Sequence, residues 1–408
     1  MLYENRLVRH LDVGILVCVF LMVSVGLVAI YSATYASEAQ VGYLTLKKQG
    51  IWIALGLVLV AAVVVVPMRF FHKYAYSFYF LSLGLLVLVL FVGAGSGTRR
   101  WLPFGPFSIQ PAEFAKVATI LALAKYLSAE RNLTRVRELV VPFLLVGLPT
   151  LLVVKQPDLG SALVFLAVLL PILHWAGLPH VTLFVFLAPA ISLFSAFNYY
   201  SFFAAMILIS LVLLLSRRGM RFFLTNFFLN VGVGALTPVV WGLLKEYQKK
   251  RILTFLGLES DPRGLGYQVL QSKVAIGSGG VFGKGFLHGT QTHLRFLPEQ
   301  HTDFIFCVIG EEFGFLGVVL VLGLFLYFIL KSLNVAVAVK SRFSSLVVFG
   351  AIMVFLFQVT VNIGMTVAIL PVTGLPLPFL SYGGSSLVAS LILVGLILNA
   401  SRSRFEYI

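Results

Sequence analysis

Several groups of residues carry chemistry that an otherwise greasy chain does not need for folding. In ESDPRGLGYQ, residues 259–268, Asp261 precedes Pro262, which biases it toward extended backbone, and Gly264 and Gly266 let the chain turn closely around its carboxylate. A carboxylate held this way can act as a general base or hold a cation. The bland reading is an Asp-Pro turn on a solvated loop. Gln268 and Lys273 follow in the same segment and are read as substrate contacts. Glu113 and Lys116 stand three apart, so a helix puts them on one face, where they either neutralise each other or serve a ligand. Ionisable groups inside a membrane are costly, which makes each a functional candidate.

Glu113 follows Pro111 and Asp158 follows Pro157, positions where a carboxylate suits a helix N-terminus. Helices beginning near Pro111, Pro157 and Pro378 would gather their free N–H groups at one membrane face, an arrangement suited to an anion. Arg99, Arg100 and Lys155 fall in the same layer, and SYGGSS, with Ser381, adds hydroxyls and open backbone. A phosphorylated ligand would be well served there. Helix capping and close packing through small residues explain the same features without a ligand.

Other motifs fail on spacing. IGSGGVFGKG has Gly285 where a phosphate-binding GxxxxGK[ST] loop needs a hydroxyl. His288, His293 and His301 match no zinc spacing. Neither a nucleophile elbow nor a run of basic residues that could track nucleic acid is present. Cys18 and Cys307 lie in apolar runs and support neither a disulfide framework nor a thiolate metal site.

The elements that position these residues follow from composition. Of 408 residues 60% are hydrophobic and only 11% charged, with mean hydropathy +1.01. Soluble domains carry about 25% charged residues. Apolar runs near the length that crosses a bilayer recur throughout. The chain is therefore an all-α, polytopic membrane protein of 10–12 helices. Spans are expected at 11–33, 50–66, 76–94, 112–127, 139–154, 159–176, 180–196, 199–215, 222–241, 303–330, 344–370 and 378–400. The first run is long for a signal peptide and is read as a retained helix.

Orientation follows from the short loops. Arg6, Arg9, Arg69, Lys73, Lys125, Arg131, Arg135, Arg137, Arg217, Arg218 and Arg221 fall on one side with the termini. Lys47, Lys48, Arg99, Arg100 and Lys155 fall on the other. With the basic side inside, the long segment 242–302 is outside. It keeps Phe255, Tyr267, Leu270, Phe286 and Phe296, too apolar for a disordered linker, and WGLLKEYQKKRILTFLGL has the pattern of a surface amphipathic helix.

The whole set of motifs resembles the SEDS family of bacterial cell-wall glycosyltransferases. The phrases are TRRWLPFGPFSIQPAEFAK, KQPDLGSAL, ESDPRGLGYQVLQSKVAIGSGGVFGKGFLHGTQTHLRFLPEQHTDFIF with GEEFGFLG, and VNIGMTVAILPVTGLPLPFLSYGGSS. GFLHGTQTHLRFLPEQHTDF is similar to the elongation branch rather than the division branch. The resemblance implies polymerisation of lipid II at the outer face of the cytoplasmic (inner) membrane, with a class B penicillin-binding protein and other elongation-complex proteins as partners. It places the family's essential loop aspartate on Asp261 and its glutamate–lysine pair on Glu113 and Lys116. Family members have ten spans, so the extra material falls at 180–241.

Such a reaction joins a sugar hydroxyl to an anomeric carbon and expels a lipid pyrophosphate. The leaving group is already good, so one carboxylate acting as general base suffices. In the alternative role Asp261 holds magnesium or manganese against the pyrophosphate. Arg100 and Lys116, then Lys155, are the expected pyrophosphate partners. A lipid II flippase and a non-catalytic scaffold are the rival readings. A flippase puts its essential charges near the midplane, a polymerase puts a carboxylate at the outer surface, and a scaffold needs neither.

Overall fold

Apolar runs without a polar face make helices that lie among other helices or in lipid, and such helices dominate the chain. The structure, a computed structural model, describes residues 12–35, 39–94, 99–105, 107–129, 133, 135–244, 246–255, 265–294 and 299–404. Helices α1 (Val13–Tyr35), α2 (Ala39–Val65) and α3 (Met68–Val92) come first, followed by a hairpin of β1 (Leu102–Phe104) and β2 (Phe107–Ile109). Leu102 pairs with Ile109 in antiparallel register, a small departure from the all-α expectation. Then come α4 (Pro111–Ser128), α5 (Val136–Lys155), α6 (Leu159–Trp175), α7 (His180–Ser195), α8 (Tyr199–Leu215), α9 (Met220–Ala235) and α10 (Thr237–Leu243). The long segment 242–302 carries α11 (Glu246–Phe255), α12 (Leu265–Ser278) and α13 (Thr290–His293). Helices α14 (Ile305–Ala338), α15 (Arg342–Thr366) and α16 (Gly384–Arg402) close the chain.

Seven of these helices are long and apolar enough to cross a bilayer, and the pair α9–α10, bent by 45°, counts as an eighth if it is one span. Helix α4 lies over another expected span but carries Glu113, Lys116 and Lys125. Helices α6, α7 and α8 are apolar and shorter. Burial separates centre from rim: 83% of the apolar window of α16 is buried, against 28% for α2. Helix α4 reaches the centre because Ala112, Ala115, Ala118, Ala122 and Ala124 let its neighbours approach closely. It packs against α3, α15 and α16.

The 180–241 region forms a satellite. Helices α7, α8 and α9 enclose a small core of their own around Ala188, Met206, Ile209 and Leu213. Ser192 Oγ donates to Asn230 Oδ1 at 2.9 Å inside it, which satisfies two polar groups that lipid would leave unpaired. Phe143 against Phe186, ring centres 5.0 Å apart, joins the satellite to the main bundle.

Two expectations change. The last helix starts at Gly384, not near Pro378. Leu377 N–H donates to Ser381 Oγ (2.8 Å) and Ser381 N–H donates to the Leu377 carbonyl (3.0 Å), so Pro378 to Tyr382 form a turn. Helix α14 is also broken at Gly314, whose φ is 62°. The break frees backbone groups, and the glycine-rich loop takes them up. Lys284 and Gly285 N–H donate to the Glu311 and Glu312 carbonyls (3.0 Å each), and Phe315 N–H donates to the Gly280 carbonyl (2.9 Å). IGSGGVFGKG is thus a clasp on a kinked helix. Buried Glu311 secures it by accepting from Lys284 Nζ (2.8 Å) and from the Gln291 and Thr292 N–H groups (2.9 and 3.1 Å).

Candidate active site

Helix α2, the β-hairpin, the turn before α14 and the chain before α16 surround a cavity of about 420 Å³. Trp52 of α2, with Trp101 and Phe107 of the hairpin region, makes an aromatic wall. Lys48 supplies an ammonium, and Glu299 and Asp303, from the turn that precedes α14, supply carboxylates. Ser108, Gln110, Thr302, Tyr382 and Ser386 complete the polar lining. Aromatic faces beside charged and amide groups suit a polar, ring-bearing ligand that carries negative charge.

Gly383 and Gly384 let the start of α16 come close to this wall. A side chain at Gly384 would meet the Trp52 ring at 2.2 Å.

Most residues singled out from sequence stand behind the wall rather than in it. Gln110 Nε2 donates to Asp158 Oδ2 at 2.9 Å, and Asp158 caps α6 by accepting from Ser161 N–H at 3.1 Å. Arg100 Nε donates to the Gln156 carbonyl at 3.1 Å, and its NH2 donates to the Pro157 carbonyl. Arg100 therefore braces the α5–α6 corner that presents Asp158. Glu113 and Lys116 lie one turn and two turns along α4 from Gln110 and pair at 2.7 Å, both buried. Ser381 spends its hydroxyl on the Thr302 carbonyl (2.5 Å) and does not offer it to the cavity. Lys155 and Lys273 are exposed and Gln268 is half-buried on α12. None of these last three lines the cavity. Asp261 lies outside the described residues.

Asp158→Ala should lose about 0.5–2 kcal/mol through the missing cap and strand the Gln110 amide. Asp158→Asn, which keeps an oxygen for Ser161, should lose much less. Thermal unfolding of the two purified variants checks this.

The cavity carboxylates were not singled out from sequence. Glu299 and Asp303 stood in the phrase LPEQHTDF, whose pattern marks nothing by itself. Burial and the neighbouring Glu299 push the Asp303 carboxyl up to about 6, with Asp158 adding in the same direction and Arg251 opposing. Burial also lowers His301 and raises Tyr382. Among the described residues no group of three or more His, Cys, Asp or Glu side chains is placed to hold a metal.

The chain matches the FTSW_RODA_SPOVE family of cell cycle proteins over residues 13–204 and 200–406. It belongs to that family. It is 34% identical to the peptidoglycan glycosyltransferase RodA of Treponema pallidum, over 97% of this chain and 98% of that protein. It is also 34% identical to the peptidoglycan glycosyltransferase MrdB of Escherichia coli K12, over 97% and 94%. Among solved structures, a chain from a peptidoglycan synthase complex that coordinates polymerization and crosslinking superposes with TM-score 0.72 at 35% identity, covering 98% of this chain and 99% of that one. The rod shape determining protein RodA of Thermus thermophilus superposes with TM-score 0.65 at 31% identity. The family member described here is a multi-pass membrane protein of this FtsW/RodA/SpoVE fold.

Proposed function

We infer that the protein is a peptidoglycan glycosyltransferase that polymerises lipid II into glycan strands during cell elongation. The observation that carries this is near full-length similarity to proteins named for that activity. The cavity is consistent with it: aromatic walls suit sugar faces, and Lys48 suits a pyrophosphate. Lys48 is the cationic partner on this reading, since Lys116 is committed to Glu113 and Arg100 to the Gln156 and Pro157 carbonyls. Asp261 acts as general base or as ligand for a divalent cation. In the second role magnesium or manganese would be shared between the Asp261 carboxylate and the substrate pyrophosphate. When bound it would neutralise charge on the leaving group.

The protein sits in the cytoplasmic membrane with both termini inside and 242–302 outside, supported by the distribution of basic residues. Its partner is a class B penicillin-binding protein that crosslinks the strands, supported by the likeness to a synthase complex. Transport of lipid II is the rival, favoured by an ion pair inside the bundle. A void beside Lys116, with Thr119 and Val354, is about 10 Å³, far too small for a sugar. Purified protein with its partner should convert lipid II into muramidase-sensitive polymer. Translocation of labelled lipid II across vesicles without polymer would favour the transporter.

A further inference from the structure

We propose that Asp303 is a second catalytic carboxylate of the transfer site, taking the proton of the acceptor hydroxyl as the glycosidic bond forms. The proposal deepens the polymerase reading above and rests on it.

Its first support is how rigidly this cavity-lining residue is mounted. Asp303 N–H donates to the Glu299 carbonyl (3.1 Å), and the Asp303 carbonyl accepts from Asn362 Nδ2 (2.9 Å). Asn362 is fully buried on α15 and also donates to the Leu375 carbonyl (2.7 Å), which ties the turn to the chain before α16. One residue earlier, the Thr302 carbonyl holds Ser381 Oγ, and Tyr382 N–H donates to the His301 carbonyl (2.9 Å). Two separated segments, α15 and the chain before α16, thus fix one short turn. Carboxylates that must meet a reacting atom need this kind of support.

The second support is the space in front of the carboxylate. Gly374 faces it, and a methyl there would lie 3.4 Å from Asp303 Oδ2. Glycine at this point leaves that side of the carboxylate open, in a wall both residues share.

The third is electrostatic. Glu299 and Thr302 act on Asp303 from its own turn, Asp158 from the α5–α6 corner and Arg251 from α11; Lys48 of α2 and Tyr382 of the turn before α16 line the same cavity, and His301 stands against Tyr382. The balance favours a proton, and a base is most effective when its acidity lies near the working pH. An ordinary aspartate, near 3.9, is a weaker base.

In the step, the acceptor O–H gives its proton to an Asp303 oxygen while the acceptor oxygen bonds to the anomeric carbon. The bond from that carbon to the pyrophosphate oxygen breaks, and the pyrophosphate leaves with the electron pair. Asp303 then passes the proton to water. Asp261 would then hold the cation that neutralises the pyrophosphate.

The test is the pH profile of glycan formation from lipid II by the full chain with its penicillin-binding partner, from about pH 5 to 8. Ionised Asp303 is required, so wild-type kcat/KM, which reports the free enzyme, should fall on a one-proton limb as pH drops through about 6. Asp303→Asn should lower kcat by about 10²–10⁴-fold with little change in KM, and its residual rate should lose the acid limb. Glu299→Gln removes a charge that raises Asp303, so it should move the limb to lower pH. An Asp303→Asn protein with near wild-type kcat, an unmoved limb, or a loss confined to KM would overturn the proposal. If that variant does not fold, an unmoved limb in Glu299→Gln would overturn it equally. Wild type that makes no polymer would instead remove the polymerase reading, an outcome distinct from active wild type with an indifferent Asp303.

Discussion

Lys116→Met is expected to destabilise the protein by about 3–5 kcal/mol, because it leaves the Glu113 carboxylate buried without its partner. The two side chains are 3% and 4% exposed and meet at 2.7 Å, in a helix buried on nearly every side. Glu113→Gln should cost a similar amount by stranding the ammonium. The double variant Glu113→Met/Lys116→Met should regain most of the stability, since two apolar groups of similar size need no hydrogen-bond partners. Reversing the pair should recover less. Glu113 stands in the first turn of α4, where the helix dipole favours an anion and disfavours the lysine that reversal puts there. Thermal unfolding in detergent reads stability, and glycan synthesis read beside it separates structure from function. If the double variants recover stability without activity, the simple ion-pair account fails and the pair has a role toward substrate.

Gly283→Ala should be the most damaging single methyl addition in segment 242–302. Its φ is +81°, a conformation that costs an L-residue about 1–2 kcal/mol. The added carbon would also lie 2.0 Å from the Glu312 carbonyl oxygen and 2.4 Å from its carbon, both backbone atoms that cannot swing away. A total above about 4 kcal/mol, or failure to fold, is expected. Gly277→Ala is the control. It sits in α12 with nothing within 4 Å of the added carbon, and alanine there should be neutral or gain about 0.5–1 kcal/mol. Comparable loss in both would show that the clasp is not held by close backbone contact.

These two cases show where sequence reasoning reaches and where it stops. Spacing alone brought Glu113 to Lys116, because positions three apart on a helix face one another. The Gln-Pro-Asp phrase pointed to Asp158 as a helix cap for the same local reason. Composition was enough for the helical, membrane-spanning class. The clasp was not legible, because the break at Gly314 is tolerable only with a loop about 30 residues earlier to take up its carbonyls. Ser381 looked like a free hydroxyl until the turn before α16 placed it against Thr302. The start of α16 at Gly384 follows from that turn and not from Pro378. Glu299 and Asp303 gained meaning only when Asn362, Gly374 and Tyr382, all more than 50 residues away in sequence, closed around them. Arg100 was expected to hold pyrophosphate and instead donates to two backbone carbonyls, while Lys48, which sequence marked only as an outer basic residue, reaches the cavity.

The central claim is that this membrane protein polymerises lipid II through a carboxylate of its outer segment. The most direct test is glycan formation from purified lipid II by the wild type and by Asp261→Asn, each with the penicillin-binding partner and each shown to be folded. The account predicts polymer from the wild type and none from the variant. Equal polymer from both would remove Asp261 from the mechanism, and no polymer from the wild type would contradict the account as a whole.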